Sequence, residues 1–395
     1  MKQLKTKLKD GMGIFAESHK VYKKLQKHLD KQPVGFPATA SGVERRLLRD
    51  AFTVEEAGLA LYLDYRFQSF EQVVEKVKDR GISEAKLQSM LDNMERHGAI
   101  FVKMVEGKKE YALHPYAVGI FEMKLPTMTA NYYMDFRKYN YQSFGMAFLS
   151  TALPQMRVIP VAKSVTPELQ IATYDEIREL LLQNDGRIGV ADCVCRKGRD
   201  TIGRHCVETD RREVCIGLAD FHDMYTRNGF GRSISKEEAF EILDQNEKDG
   251  LVLMPSNTRE AQFVCSCCGC CCACLEGVSL LAKPAEFVKN NYHAVLDAEK
   301  CTGCGKCGTK CKTDAIKMQP QENSKKTNAV GIDMNRCIGC GVCVAACKSG
   351  ALTLAKKQIQ TVPPKDMDTL YEEIMKGKKG TAARTLDIGR KIMGI

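Results

Sequence analysis

The first 192 residues of this 395-residue chain contain no cysteine, and all nineteen of its cysteines lie at or beyond Cys193. Long apolar runs are missing too. The longest, about Phe144 to Val161, is broken by Pro154, Arg157 and Pro160, whereas a membrane helix needs about 20 apolar residues. The opening Met1-Lys-Gln-Leu-Lys-Thr-Lys-Leu-Lys9 has lysines but lacks the apolar core and small-residue cleavage site of a secretory signal. No Gly-x-Gly-x-x-Gly turn between a strand and a helix is evident, and no Gly-x-x-x-x-Gly-Lys-[Ser/Thr] loop, which removes the usual dinucleotide and nucleotide sites. These absences point to a cytoplasmic protein without a membrane span. In a reducing compartment closely spaced thiols are metal ligands more often than disulfides.

With 44% hydrophobic and 27% charged residues the composition is that of an ordinary soluble chain with room for two to four domains. The net charge of +10 comes from the ends: residues 1–31 carry nine lysines against three acids, and residues 376–395 carry six Lys or Arg against Asp387. Solvated helix faces account for such charge. The functional alternative is a docking surface for an acidic redox partner, where charge speeds encounter more than it adds affinity.

Taken in order, the chain divides into six segments. Residues 1–42 form a basic amphipathic arm with Ile14, Phe15, Val21, Leu25 and Leu29 at helical spacing. Over 43–115, Thr53-Val-Glu-Glu56 and Ser69-Phe-Glu-Gln72 read as capping boxes, and Ser83 caps a third helix running to Gly98. Ile100–Val105, a turn at Glu106–Lys109 and Glu110–His114 then form a hairpin, so this segment is winged-helix-like. Its third helix shows Lys86, Gln88, Asn93 and Arg96 beside Glu84, Asp92 and Glu95. That mixed charge argues against a nucleic-acid partner. An aromatic-rich connector at 116–164 holds Tyr132, Tyr133, Phe136, Tyr139, Tyr141, Phe144 and Phe148, suited to core packing or to a subunit interface. In the cysteine-rich segment 165–290, Thr173-Tyr-Asp-Glu176 opens a helix and Arg187–Asp192 is a strand leading into Cys193. Ser235 caps a helix ending at Gly250, before the strand Leu251–Met254 and the connection to Cys265. Segments 291–360 and 361–395 complete the chain, the last a basic tail. The fold class expected is α+β multidomain, with a helical winged-helix-like front, an α/β cysteine-rich middle and a ferredoxin-like double-cluster end.

The strongest motif repeats. Cys301-x2-Cys304-x2-Cys307-x3-Cys311 and Cys337-x2-Cys340-x2-Cys343-x3-Cys347 each have the spacing that wraps a backbone around a cubane cluster. Three thiolates come from one loop and the fourth comes from elsewhere. Gly303, Gly305, Gly339 and Gly341 allow close approach of the backbone. Short strands flank both motifs at His293–Asp297, Ala315–Met318, Ala329–Asp333 and Ala351–Leu354.

On these residues the stretch of about 293–356 resembles a bacterial-type ferredoxin with two [4Fe-4S] clusters. The resemblance implies one cluster on Cys301, Cys304, Cys307 and Cys347 and another on Cys337, Cys340, Cys343 and Cys311. Lys312 and Lys348 stand where that family has proline after the fourth cysteine. The added positive charge and backbone donor are expected to favour the reduced clusters. The wider arrangement resembles multi-cluster iron–sulfur proteins of anaerobic electron-transfer systems.

Eleven cysteines remain: Cys193, Cys195, Cys206, Cys215, Cys265, Cys267, Cys268, Cys270, Cys271, Cys272 and Cys274. Two cubanes use eight ligands, so the surplus marks structural thiols, an exchangeable thiolate or a larger fused cluster. Neighbours such as Cys267-Cys268 and Cys270-Cys271-Cys272 cannot all face one way, which implies two centres on opposite sides of the segment. Copper(I) or zinc in a thiolate-rich pocket is the alternative occupant. Arg196, Lys197, Arg199, Arg204 and His205 crowd this region, either to offset cluster charge or as solvated loop residues.

The reading that follows is an iron–sulfur electron-transfer protein, a subunit or partner of a larger anaerobic oxidoreductase more than a stand-alone enzyme. It would carry two [4Fe-4S] clusters in the ferredoxin segment and one or two further iron–sulfur clusters, of an unusual kind, in the middle. A reductive enzyme with an unusual cluster as its active site and a redox-responsive winged-helix transcription regulator are the rivals.

Overall fold

The computed structural model describes residues 19–184, 186–320, 326–380, 383 and 389. Most of the expected basic arm's beginning, including Ile14 and Phe15, and most of the basic tail lie outside the described residues. The chain divides into two compact units, 1–148 and 149–395. Together they make an α+β multidomain protein.

In the first unit helix α1 covers 19–30 and buries Tyr22, Leu25 and Leu29. The Tyr22 hydroxyl donates to Phe52 O at 2.7 Å, and Gln26 Nε2 donates to Phe36 O at 2.7 Å. Tyr22, Leu25 and Leu29 are therefore core residues of this unit. There follow α2 (Val43–Ala51), α3 (Val54–Ala60), β1 (Gln68–Ser69), α4 (Phe70–Val77), α5 (Glu84–Arg96), β2 (Ile100–Val105) and β3 (Lys108–Leu113). Both capping boxes form, at Thr53 with Glu56 and at Ser69 with Gln72, and Ser83 accepts from Lys86 N. The three strands pair antiparallel in the order β1-β3-β2. The hairpin turn is shorter than expected: Val105 pairs with Lys108, which leaves only Glu106 and Gly107, both at positive φ (49° and 79°). Such a two-residue turn matches the twist of the strands it joins.

Polar residues of α5 are engaged within the unit. Gln88 Nε2 donates to the Tyr111 hydroxyl at 3.1 Å, Asn93 Nδ2 donates to Glu56 at 2.6 Å, and Lys109 bridges Asp92 (2.8 Å) and Glu95 (2.7 Å). The aromatic stretch also serves as core. In α6 (Ala130–Tyr139), Tyr132, Tyr133, Phe136 and Tyr139 are buried, and with Phe144 they surround Tyr116, Phe36 and Phe121. Ring centroids lie 4.8 Å apart for Phe36–Tyr139 and 5.3 Å for Tyr116–Phe144. Tyr141 stays exposed. A short helix, α7 (Gly145–Leu149), follows.

The second unit begins with a strap over 156–164. Ile159 N donates to Leu253 O (3.3 Å), Val158 N to Lys289 O (2.9 Å) and Val161 N to Cys340 O (3.1 Å). The Glu247 carboxylate holds the strap by accepting from Ala162 N (2.7 Å) and Lys163 N (3.2 Å). Helix α8 (Ile177–Leu182) starts later than expected: Thr173–Asp175 is a 3-10 turn, and Glu176 is the cap, accepting from Arg178 N and Glu179 N. A carboxylate there also meets the positive end of the helix dipole, an advantage the Thr173 hydroxyl lacks.

Beyond α8 the chain forms β4 (Ile188–Asp192), α9 (Val194–Thr201), β5 (Glu213–Leu218), α10 (Asp220–Arg227), β6 (Gly231–Ser233), α11 (Lys236–Asp249), β7 (Val252–Pro255), β8 (Phe263–Cys267) and α12 (Ala273–Ser279). The strands make an antiparallel sheet in the order β6-β4-β5-β8-β7. Strands β4 and β8 both run antiparallel to β5, so their C-terminal ends, which carry the cysteines, reach the same edge.

The C-terminal, ferredoxin-like domain consists of β9 (Tyr292–Leu296), α13 (Lys306–Lys310), β10 (Ile316–Pro320), β11 (Thr327–Ile332), α14 (Val342–Ala345) and β12 (Leu352–Lys356). The two halves interleave: β9 pairs with β12 and β10 with β11, each antiparallel. Helix α15 (Met367–Lys376) follows.

Candidate metal centres

Each ferredoxin-type loop turns through glycines with left-handed backbone, a conformation that side chains resist. At Gly339 (φ 68°) a Cβ would collide with Tyr292 O and lie 2.6 Å from Asn290 Oδ1. At Gly341 (φ 72°) it would collide with the Ser164 hydroxyl of the strap. Close approach of strap, β9 and loop therefore requires glycine.

The interleaved topology brings thiols of both motifs together. Cys301, Cys304, Cys307 and Cys347 line one cavity with Thr327, Ala329 and Leu352. Cys311 and Cys337 lie close enough to Cys340 and Cys343 for their charge to raise the proton affinity of both. Burial pushes the Cys340 thiol up to about 12 and is the largest cause of the upward shift at Cys343. Such buried thiols become stable thiolates once cationic iron offsets their charge. Backbone donors already point at the sulfurs: Ala315 N lies 3.2 Å from Cys311 Sγ, and Ala294 N lies 3.5 Å from Cys337 Sγ. The thiol-lined cavity of the first set and the aimed N–H groups of the second fit 4Fe-4S clusters.

The eleven other cysteines sort into two groups and a single residue. Strand periodicity puts Cys265 and Cys267 of β8 on one face and Ser266 on the other, where Asn246 Nδ2 of α11 donates to its hydroxyl at 2.7 Å. The antiparallel register of β5 and β8, with Ile216 opposite Val264, brings Cys215 beside Cys265. Cys193 caps α9, followed by Cys195 in its first turn, and Cys272 caps α12, its sulfur accepting from Leu275 N at 3.5 Å. Thiol–thiol interactions link Cys193 to Cys195 and Cys215, Cys272 to Cys195 and Cys267, and Cys265 to Cys215 and Cys267. The six sulfurs thus form a closed ring. Hydrogen bonds from Cys195 and Cys215 hold Cys193 well below the ordinary thiol range, with a further contribution from the Arg196 guanidinium.

The second group comprises Cys206, Cys268, Cys270 and Cys271, whose sulfurs all lie within 4.8 Å of one another. Adjacent residues Cys267 and Cys268 thereby serve opposite groups, as do Cys271 and Cys272. Cys274 stands apart: it feels the charge of Cys272 and Cys265, and burial raises its proton affinity.

Arg196 lies between the groups. It is 0% exposed, and Nη2 donates to Ser266 O at 3.2 Å. Its charge is felt by Cys193, Cys215 and Cys268, and its side chain also interacts with Cys206. Nε and Nη1 meet no hydrogen-bond acceptor of the protein. A buried cation whose donors face sulfur suits thiolates and anionic clusters, and leaving it in an apolar pocket would be costly. The other basic residues divide: Arg199 pairs with Glu276 at 3.2 Å, Lys197 and Arg204 are exposed, and His205 turns away to Asp200 at 2.8 Å.

Two contributors carry no cysteine and no motif. Glu208 accepts Lys312 at 2.6 Å and Lys310 at 3.4 Å, and Ser164 packs against Gly341. Only the unusual lysine after Cys311 hinted at an acidic partner. A family model described as a 4Fe-4S dicluster domain matches residues 300–351. Neither the curated proteins nor the solved structures provide a match to the chain.

Proposed function

We propose that this chain relays electrons between two ferredoxin-type clusters and a further iron–sulfur site on the ring of Cys193, Cys195, Cys215, Cys265, Cys267 and Cys272, as a subunit or partner of a larger oxidoreductase. Its 4Fe-4S dicluster domain supports iron–sulfur electron transfer, and the six thiols of the ring would supply the ligands of the further site. The ligand sets of the two cubanes would be Cys301, Cys304, Cys307 with Cys347, and Cys337, Cys340, Cys343 with Cys311. When bound, such clusters supply one-electron transfer at potentials set by hydrogen bonds, charge and burial.

The observation that carries the relay is the junction at Lys312. This side chain is 5% exposed, rests against Gly269 between Cys268 and Cys270, and pairs with Glu208, two residues from Cys206. The residue after one ferredoxin cysteine is thereby fastened to the loops that carry Cys206, Cys268 and Cys270, beside Cys267 of the ring. Because Glu208 neutralises Lys312, its influence on potential is smaller than the sequence suggests. Lys348 is exposed. Residues 43–115, winged-helix-like in their helix and hairpin order, serve in this reading as scaffold, since Gln88 and Asn93 are engaged internally.

Iron, sulfide and EPR measurements on anaerobically purified full-length protein test this reading. More than the about eight irons of two cubanes are expected, with the excess removed by Cys272→Ala and the ferredoxin signals kept. Eight irons unaffected by Cys272→Ala would defeat it. The six-thiol ring also favours a second reading, a reductive enzyme, because a cubane uses only four thiolates. Catalytic turnover abolished by Cys272→Ala would distinguish it from a relay.

A further inference from the structure

The quartet Cys206, Cys268, Cys270 and Cys271 differs in scale from the ferredoxin sets. Its sulfurs are separated by 3.7 Å for Cys206–Cys268, 3.6 Å for Cys206–Cys270, 3.5 Å for Cys268–Cys270 and 3.6 Å for Cys270–Cys271. A single ion bound to four sulfurs at about 2.3 Å sets them about 3.8 Å apart at the corners of a tetrahedron. A cubane spreads its four thiolates over four separate irons and holds them farther apart. The same structure supplies the internal comparison: among the described residues, the quartet alone brings three or more metal-ligating side chains within 4.8 Å of one another, and neither ferredoxin set does so.

From this geometry we infer that the quartet is a mononuclear tetrathiolate site for one zinc(II) ion, separate from every iron–sulfur cluster of the chain. Zinc is preferred over iron(II) because divalent-metal affinity rises along the first row to favour it at a given sulfur site. Four thiolates and one dication carry a net charge of about −2. Arg196 interacts with Cys206 from within the protein, and Arg212 also feels its charge. Leu251, fully buried, closes the apolar side with Cys206, Cys268 and Cys271. With four protein ligands the site has no open position, which makes its role structural. The ion fastens the loop bearing Cys206 and Glu208 to the Cys268–Cys271 turn. It thereby fixes the carboxylate that receives Lys310 and Lys312.

The test uses full-length protein purified anaerobically from medium containing both metals, analysed for zinc and iron and by X-ray absorption at the zinc edge. One zinc per chain is expected, with four sulfur neighbours at about 2.3 Å and no nearby second metal. Cys271→Ala should remove the zinc and leave iron and sulfide unchanged. Loss of iron together with sulfide in Cys271→Ala would make the quartet a cluster site and overturn the inference. A wild-type chain without zinc, or zinc indifferent to Cys271→Ala, would overturn it too. Should that variant fail to fold, the wild-type spectrum decides: fewer than four sulfurs or a neighbouring metal contradicts the assignment. The zinc content and the zinc-edge spectrum do not depend on whether the six-thiol ring holds iron, so the two readings fail separately.

Discussion

The ferredoxin-like domain and the cysteine-rich middle hold thiols in opposite ways. In the first, short loops wrap around each site, glycines admit the backbone, and the thiols approach without clustering. In the second, strand ends and helix caps drive ten sulfurs into a closed ring and a tight quartet, with Arg196 buried between them. The loop design places ligands by local backbone geometry. The sheet-edge design places them by long-range pairing, and it gathers so many thiols that a buried cation is needed.

The sharpest way to break this comparison is to remove that cation. Arg196→Met should destabilise the middle region by about 3–5 kcal/mol, the cost of leaving buried charge uncompensated, whereas Lys348→Met in the ferredoxin loop should stay within about 0.5 kcal/mol. Anaerobic denaturant unfolding measures both. Equal effects would remove the distinction.

A second contrast concerns what each design shows in its sequence. The C-x2-C-x2-C-x3-C spacing and four glycines disclose a local geometry, so the ligand sets proposed for the ferredoxin-like domain rest on a resemblance over about sixty residues. In the middle, spacing revealed that Cys267-Cys268 and Cys270-Cys271-Cys272 cannot all face one way and so imply two centres, but not which sulfurs join in each. Which sulfurs join depends on β5 pairing with β8 and on a 206–215 loop folding back over the sheet edge, both non-local. Sequence left Arg196 open between a counter-charge to the clusters and a solvated loop residue, because its burial depends on Ser266 and on sulfur from four strands and loops. The Glu176 cap was displaced from Thr173 for a local reason, the carboxylate accepting from two N–H groups.

Gly341→Ala probes the loop design. Its Cβ meets Ser164 at φ 72°, and a loss of about 1–3 kcal/mol is expected, along with one cluster's iron. Ser164→Gly added to it should recover part of the loss, because the clash is removed and only the backbone strain remains.

At the junction, Glu208→Gln leaves Lys312 buried without its anion. A destabilisation of about 1–3 kcal/mol is expected from the lost charge-assisted bond, with a rise in the potential of the cluster nearest Cys311 as positive charge is unmasked. Redox titration reads the shift, and no change would mean that Lys312 is neutralised by other means.

The first unit has no thiols and serves as a metal-independent control. Burial lowers His114 to about 3, and the hydrogen bonds of Glu56 with His97, Thr53 and Asn93 outweigh its burial to bring it to about 2. Both folded values are depressed, so both contributions are present above the unfolded values of about 6.5 and 4.5 and are lost on acidification. Thermal unfolding should show stability falling from about pH 6.5 toward pH 3 through His114, and below about pH 4.5 through Glu56. His114→Phe should flatten the upper part of that profile.

Mössbauer spectroscopy of full-length protein grown on 57Fe tests the central claim most directly, that the middle region holds iron of its own. Absorption beyond two [4Fe-4S] clusters is predicted, and Cys272→Ala should delete that component alone. A spectrum fully accounted for by two cubanes, and identical in Cys272→Ala, would contradict the account.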